Sequence, residues 1–273
     1  MLLYLQETTV CRDIGWTMNN HQFPKEVTLC LSGGAARGAY QLGVISVLQE
    51  QGIEIKAISG TSIGALIGAS LACGKKAAYI FDVMRSREFR SVFKLRLGYG
   101  YIFQLNHKAA VIDKLIDKEC FEALSTPLHV TVCDVKDESP LYFESGDDLK
   151  EVVLASCSIA PLFNPVRLNG KVLVDGGLVD NFPVERLKKY KFPIIGINLH
   201  PKRSKIPTTI LGWLRSNIHI AWQSHYSVKK ELCDIYLCNT ELLECKIFSF
   251  ADIDKAYEIG RVEMQNMMEI QRR

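Results

Sequence analysis

The chain has 273 residues, 33 Lys and Arg against 30 Asp and Glu, and 48% hydrophobic residues, enough for one large α/β core or two small domains. A charged fraction of 23% with 19 Gly and 9 Pro excludes a disordered, collagen-like or coiled-coil chain. The net charge of +3 gives no reason to expect a nucleic-acid partner.

The nine cysteines form no C-x-x-C pair and no Cys/His cluster at zinc spacing. No disulfide framework and no metal or other cofactor is therefore expected, and reduced thiols in the cytoplasm fit better. Residues 1–22 hold no basic stretch ahead of an apolar run, and Glu7 and Asp13 interrupt them, so they do not read as a signal peptide. They read as a disordered extension, with Met18 as a second candidate start, ahead of one domain over 23–273.

The pattern alternates short β-type runs with longer helical ones. Val27–Leu31 is a strand, and Gly38–Gln51 a helix on the spacing of Leu42, Ile45 and Leu48. Lys56–Ser59 is a second strand and Ile63–Cys73 a buried helix. The run from Ala57 to Gly74 is uncharged and holds Gly64-x-x-x-Gly68. It is barely long enough to span a bilayer, and its glycines and hydroxyls favour a buried strand–turn–helix over a transmembrane helix. Leu128–Val135 and Leu141–Glu144 read as a hairpin, Asp147–Ser156 as a helix, Val172–Val174 and Pro193–Leu199 as strands, and Asp252–Ile270 as a terminal helix. Alternating strands and helices imply an α/β fold, a mostly parallel sheet flanked by helices.

Three segments carry chemistry. Ser32-Gly33-Gly34-Ala35-Ala36-Arg37-Gly38 follows a strand and opens a helix. Its backbone N–H groups suit a phosphate or the oxyanion of an acyl transfer. It lacks the Gly-Lys-Ser/Thr of a P-loop and matches a dinucleotide fingerprint poorly. Gly60-Thr61-Ser62-Ile63-Gly64 sits between strand and helix, the context of a nucleophile elbow; the plainer reading is a helix cap on Ser62. Asp175-Gly176-Gly177 ends a strand, where α/β folds present ligand-facing groups, or is an ordinary turn.

Together these motifs resemble the patatin-like phospholipases. Gly-Gly-x-x-Arg-Gly at 33–38, Gly-x-Ser-x-Gly at 60–64 and Asp-Gly-Gly at 175–177 come in that family's order. Gly38-Ala39-Tyr40-Gln41, Ala155-Ser156…Pro161 and Asn181-x-Pro183 also fit. The likeness runs from about Val27 to His200. It implies a lipid acyl hydrolase acting on phospholipid or other acyl-ester substrates, with Ser62 as nucleophile, Asp175 as base and no catalytic histidine. The oxyanion donors would be backbone N–H groups among Gly33, Gly34, Ala35 and Arg37, with Gly38, Gly60, Gly64, Gly176 and Gly177 as motif glycines. The family loop usually has a third glycine where Ala35 stands, and an alanine is strained wherever φ must be positive.

Alternatives remain at this level. His200 follows a strand after Asp175, the order of a Ser-Asp-His triad. A non-catalytic lipid or acyl-carrier binding module and an acyltransferase share the same residues. Phe93–Leu105 and Ile206–Trp222 mix aromatic and aliphatic residues with cations, which suits interfacial helices and peripheral membrane contact, or packing on the core.

Overall fold

The computed structural model describes residues 23–98, 101–105, 109–203 and 206–272; the expected extension over 1–22 lies outside them. The elements are, in chain order, β1 (Glu26–Leu31), α1 (Gly38–Glu50), β2 (Glu54–Thr61), α2 (Ile63–Ala72), α3 (Ala77–Arg85), the one-turn α4 (Arg87–Arg90), β3 (Phe93–Gly98) and β4 (Tyr101–Leu105). Then come α5 (Ala110–Leu115), β5 (Leu128–Asp134), β6 (Ser139–Phe143), α6 (Leu149–Ser156), β7 (Val166–Leu168), β8 (Lys171–Asp175), β9 (Ile194–Ile197), α7 (Ile210–Lys229), β10 (Ile235–Leu237) and α8 (Ile253–Arg272).

The fold is α/β. The central sheet has the order β10-β9-β1-β2-β5-β8-β7, with β6 also paired to β5. β10, β9, β1, β2 and β5 run parallel, whereas β6, β8 and β7 add antiparallel pairs at one side. Alternation along the strands divides the interior in two, because successive side chains face opposite ways. Val27, Leu29 and Leu31 of β1 join the larger core with residues of α1, α2 and α8. Cys30 of β1 and Ala57 of β2 face a smaller core built on Phe182, Leu187 and Tyr226 of α7. Strands covered on both faces explain the short, continuously apolar runs in the sequence.

The run from Ala57 to Gly74 divides into β2 and α2, and no helix among the described residues is long and apolar enough to cross a membrane. The eight cysteines among the described residues are free thiols. Phe93–Leu105 departs from the expectation of an interfacial helix. β3 and β4 pair antiparallel, with Phe93 opposite Leu105. The reason is legible in hindsight: Phe93, Leu95 and Leu97 alternate with Lys94 and Arg96, a period of two rather than 3.6. The second such segment is helical only from Ile210, where the Thr209 hydroxyl caps the Gly212 N–H at 3.1 Å.

Candidate active site

Ser62 stands between β2 and α2 at φ 56°, ψ −125°, a region that non-glycine residues enter at a cost of about 1–3 kcal/mol. The turn needs glycine on both sides. A Cβ on Gly60 would lie 2.5 Å from the Gly64 carbonyl oxygen, and one on Gly64 would lie 2.3 Å from that of Leu31. The Ser62 side chain makes no cap bond to α2, so the helix-cap reading fails. The Ser62 N–H instead donates to Ser156 Oγ at 2.8 Å, and that hydroxyl donates to the Thr131 carbonyl on β5 at 2.6 Å. The elbow is thus tied to the neighbouring strand, and its serine oxygen is left for other work.

The 33–38 loop lies beside the elbow because β1 and β2 are parallel neighbours with Leu31 level with Gly60. A Cβ on Gly33 would stand 3.0 Å from that of Ser62. The loop's own bonds sort its donors. Gly33 N–H is taken by Asn181 Oδ1 at 3.0 Å, Arg37 N–H by the Gly34 carbonyl at 3.2 Å, and Ala36 N–H by the Ile247 carbonyl at 2.9 Å. Gly34 and Ala35 keep N–H groups with no hydrogen bond among the described residues. Of the four expected donors, Gly33 and Arg37 have their N–H groups bonded elsewhere, and Gly34 and Ala35 do not among the described residues. Ala35 sits at φ 49°, the strained position foreseen for a residue that replaces a glycine.

The Arg37 side chain is buried. Its Nε donates to the Cys245 carbonyl at 2.8 Å and its Nη1 to that of Leu199 at 3.1 Å. Burial, and next Arg203, push the guanidinium down to about 10. It pins the loop to the C-terminal half of the chain. Arg37→Ala is expected to cost on the order of 3 kcal/mol in denaturant unfolding, because two buried carbonyls lose a charged donor. Unchanged stability would remove this bracing role.

Asp175 ends β8. That strand runs back along β5, pairing Asp175 with Val132 while Thr131 pairs with Thr61. The return stops next to the elbow and delivers the carboxylate there. Oδ1 accepts the Gly177 N–H at 2.7 Å, and Oδ2 is buried with no hydrogen-bond partner among the described residues. Burial pushes the carboxyl up to about 7, while the Ser62 hydroxyl and the Gly177 N–H pull the other way. Serine and aspartate are close enough to act on each other but are not joined by a full hydrogen bond, which in such sites often tightens only around substrate. A carboxylate raised to neutrality beside a serine is matched to proton transfer.

His200, the rival base, is buried, and its Nε2 lies 2.8 Å from the Gly33 carbonyl. A carbonyl only accepts, so Nε2 carries the proton and is committed to the loop. In the sequence Ser156 and Asn181 stand out only as members of motif runs and Trp222 only as the end of an interfacial segment, none with a place at the site; here the Trp222 indole N–H donates to the Gly177 carbonyl at 2.5 Å. Tertiary folding brings all three in, and no spacing rule announces them. Cys120, Glu122 and Asp147 also come within reach of one another near the surface, as exposed acidic groups often do without an ion.

The chain resembles the fungal lysophospholipase NTE1 of Coccidioides immitis, with 34% identity over 179 residues, 63% of this chain and 11% of that protein. An uncharacterized NTE family protein of Mycobacterium tuberculosis is 27% identical over 174 residues, 63% of this chain and 46% of its own length. This chain thus spans about a tenth of the fungal relative and about half of the mycobacterial one. Among solved structures, VipD from Legionella pneumophila is similar at a TM-score of 0.44 and 18% identity, over 76% of this chain and 55% of that one. The patatin-like phospholipase pattern itself matches residues 29–188, more than half of the sequence and all three motifs: the chain belongs to the patatin-like phospholipase family.

Proposed function

We propose that the protein is a lipid acyl hydrolase of phospholipase A or lysophospholipase type, working through a Ser62 acyl-enzyme with Asp175 as base. The observation that carries this reading is the meeting of three things at one strand edge. A serine is held at positive φ, a buried carboxylate stands beside it, and one carboxylate oxygen and two N–H groups of the adjoining loop have no hydrogen-bond partner among the described residues.

In the first half-reaction Asp175 takes the Ser62 proton as Oγ adds to the ester carbonyl. The Gly34 and Ala35 N–H groups receive the developing oxyanion. Collapse expels the alcohol, which takes up the proton from Asp175. Water then adds to the acyl-enzyme as Asp175 accepts its proton; collapse breaks the bond from Ser62 Oγ to the acyl carbon, Oγ takes the proton back from Asp175, and the fatty acid leaves. An alcohol in place of that water would make the enzyme an acyltransferase. Product analysis on a mixed panel of phospholipids and lysophospholipids tests the reading. Free fatty acid released by the wild type and not by Ser62→Ala supports it. Transfer to an added alcohol without hydrolysis would favour the acyltransferase, and turnover by neither protein the binding module.

The partner we assign is an anionic lipid surface, met by α7. Ile210, Trp213, Leu214 and Ile220 are exposed on one side of that helix, with exposed Ile206 ahead of it. His219 and Tyr226 on its other side are buried. From His200 to Lys230 the sequence has six Lys and Arg and no acidic residue, a balance that suits anionic headgroups. Free thiols fit placement at the cytoplasmic side. A Trp213→Ser/Leu214→Ser double variant is expected to bind phosphatidylserine-containing vesicles about tenfold or more weakly in flotation, from the lost apolar burial. Its hydrolysis of a soluble short-chain ester should persist. Unchanged flotation, or self-association through this face in sedimentation, would overturn the membrane assignment.

A further inference from the structure

His200 is not the catalytic base, yet it is buried next to the loop that carries the free donors. Its main chain is fixed on both sides: its N–H donates to Asn198 Oδ1 at 3.0 Å, and its carbonyl accepts the Gln223 amide at 2.5 Å. The ring lies 4.6 Å, centroid to centroid, from Trp222 and stacks near Tyr226. Nε2–H reaches the Gly33 carbonyl at 2.8 Å, while Nδ1 is buried and has no partner among the described residues. A pocket lined in this way would accept a phenylalanine and avoid the cost of an orphaned ring nitrogen, about 1–3 kcal/mol. Among the described residues the Gly33 carbonyl is the one hydrogen-bond partner of the ring nitrogens.

That bond acts on the oxyanion donors. The Gly33 carbonyl and the Gly34 N–H belong to one planar trans peptide and point in opposite directions. Whatever holds the carbonyl sets the direction of the N–H. Two donors hold it: His200 at 2.8 Å and, more loosely, the Ser32 hydroxyl at 3.1 Å. The Gly33 N–H on the preceding peptide is held separately by Asn181. We propose that His200 is a positioning residue for ester hydrolysis: its Nε2–H anchors the Gly33 carbonyl and so aims the Gly34 N–H at the oxyanion formed on the Ser62 adduct. Burial, chiefly, with Arg37 second, pushes the imidazole down to about 3, so the anchor stays neutral, and its bond to the Gly33 carbonyl fixes the Nε2–H tautomer. A neutral donor behind the loop orients the peptide without placing a second full charge against buried Arg37.

This role rests on the hydrolase reading, and the test separates the two. Gln places its side-chain N–H₂ near the position of the imidazole Nε2–H, and Phe fills the same space without a donor. His200→Phe is expected to lower kcat for a soluble ester by on the order of 10- to 100-fold, with KM within about twofold, since a misaimed donor loses only transition-state binding. The rate of fluorophosphonate labelling should fall in parallel, and His200→Gln should recover most of both. Wild-type kcat in the Phe variant, or equal losses in Phe and Gln variants, would overturn the role. Should either variant fail to fold, ¹⁵N-histidine NMR of the wild type decides. A neutral Nε2–H tautomer with a slowly exchanging proton is expected at neutral pH, and an Nδ1–H tautomer or an imidazolium would overturn the anchor. A wild type that hydrolyses no ester overturns the hydrolase reading itself, whatever the tautomer.

Discussion

Ser62→Ala and Asp175→Asn are each expected to lower kcat by on the order of 10⁴-fold or more, with the fold intact. The serine variant loses one oxygen that makes no cap bond, while the Ser156 hydroxyl still holds the backbone N–H of the elbow. The asparagine variant keeps the shape of the side chain and an oxygen for the Gly177 N–H, but it cannot take a proton. Because the two groups perform one transfer, the double variant should be little worse than either single one. His200→Phe should lose far less, since its ring is tied to Gly33 rather than to Asp175. Activity of each variant on a soluble ester, with circular dichroism as the folding control, checks this. Collapse in the histidine variant beside a mild effect in the aspartate variant would replace the dyad by a triad.

The second large effect is in pH. Asp175 must be ionised to accept the proton, and burial raises its carboxyl to about 7. The value of kcat/KM should therefore fall about tenfold per unit as the pH drops below that point and level off above it. Stability should move the other way. The unfolded carboxyl titrates near 3.8 and the folded one near 7, so between these values the native state binds the extra proton. Stability is fully present below the lower value and is lost as the pH rises to the upper one. Above it, the buried charge costs on the order of 4 kcal/mol. Asp175→Asn removes this cost but leaves an amide N–H₂ without a partner, returning about 1–2 kcal/mol. The inactive variant should melt about 5 °C higher than the wild type at alkaline pH and gain little in acid. Calorimetry across this range reads the difference, and an asparagine variant destabilised at alkaline pH would contradict the raised carboxyl.

The parallel half of the fold was legible because its signals are local. Val27–Leu31 and Lys56–Ser59 are apolar runs before glycine-rich turns, and both appear within two residues as β1 and β2. The turns that carry Ser62 and Asp175 were legible for the same reason. What the sequence hid was the route by which Asp175 arrives. β7 is only Val166–Leu168, too short to show a period, and β8 runs antiparallel to β5 rather than extending the parallel sheet. Register, not pattern, puts the carboxylate beside the elbow. The division of labour within the loop was hidden too. Gly33 and Arg37 looked equivalent to Gly34 and Ala35 as donors, and only Asn181, far along the chain, and the turn closing on the Gly34 carbonyl set them apart. In Phe93–Leu105 the alternation was present, but the aromatic and basic composition outweighed it.

The most direct measurement is the mass of the intact protein after incubation with a fluorophosphonate, followed by peptide mapping. A single adduct on Ser62, absent from Ser62→Ala and formed far more slowly by Asp175→Asn, is the predicted result. No adduct on the active wild type, or an adduct on any other residue, would contradict Ser62 as the nucleophile.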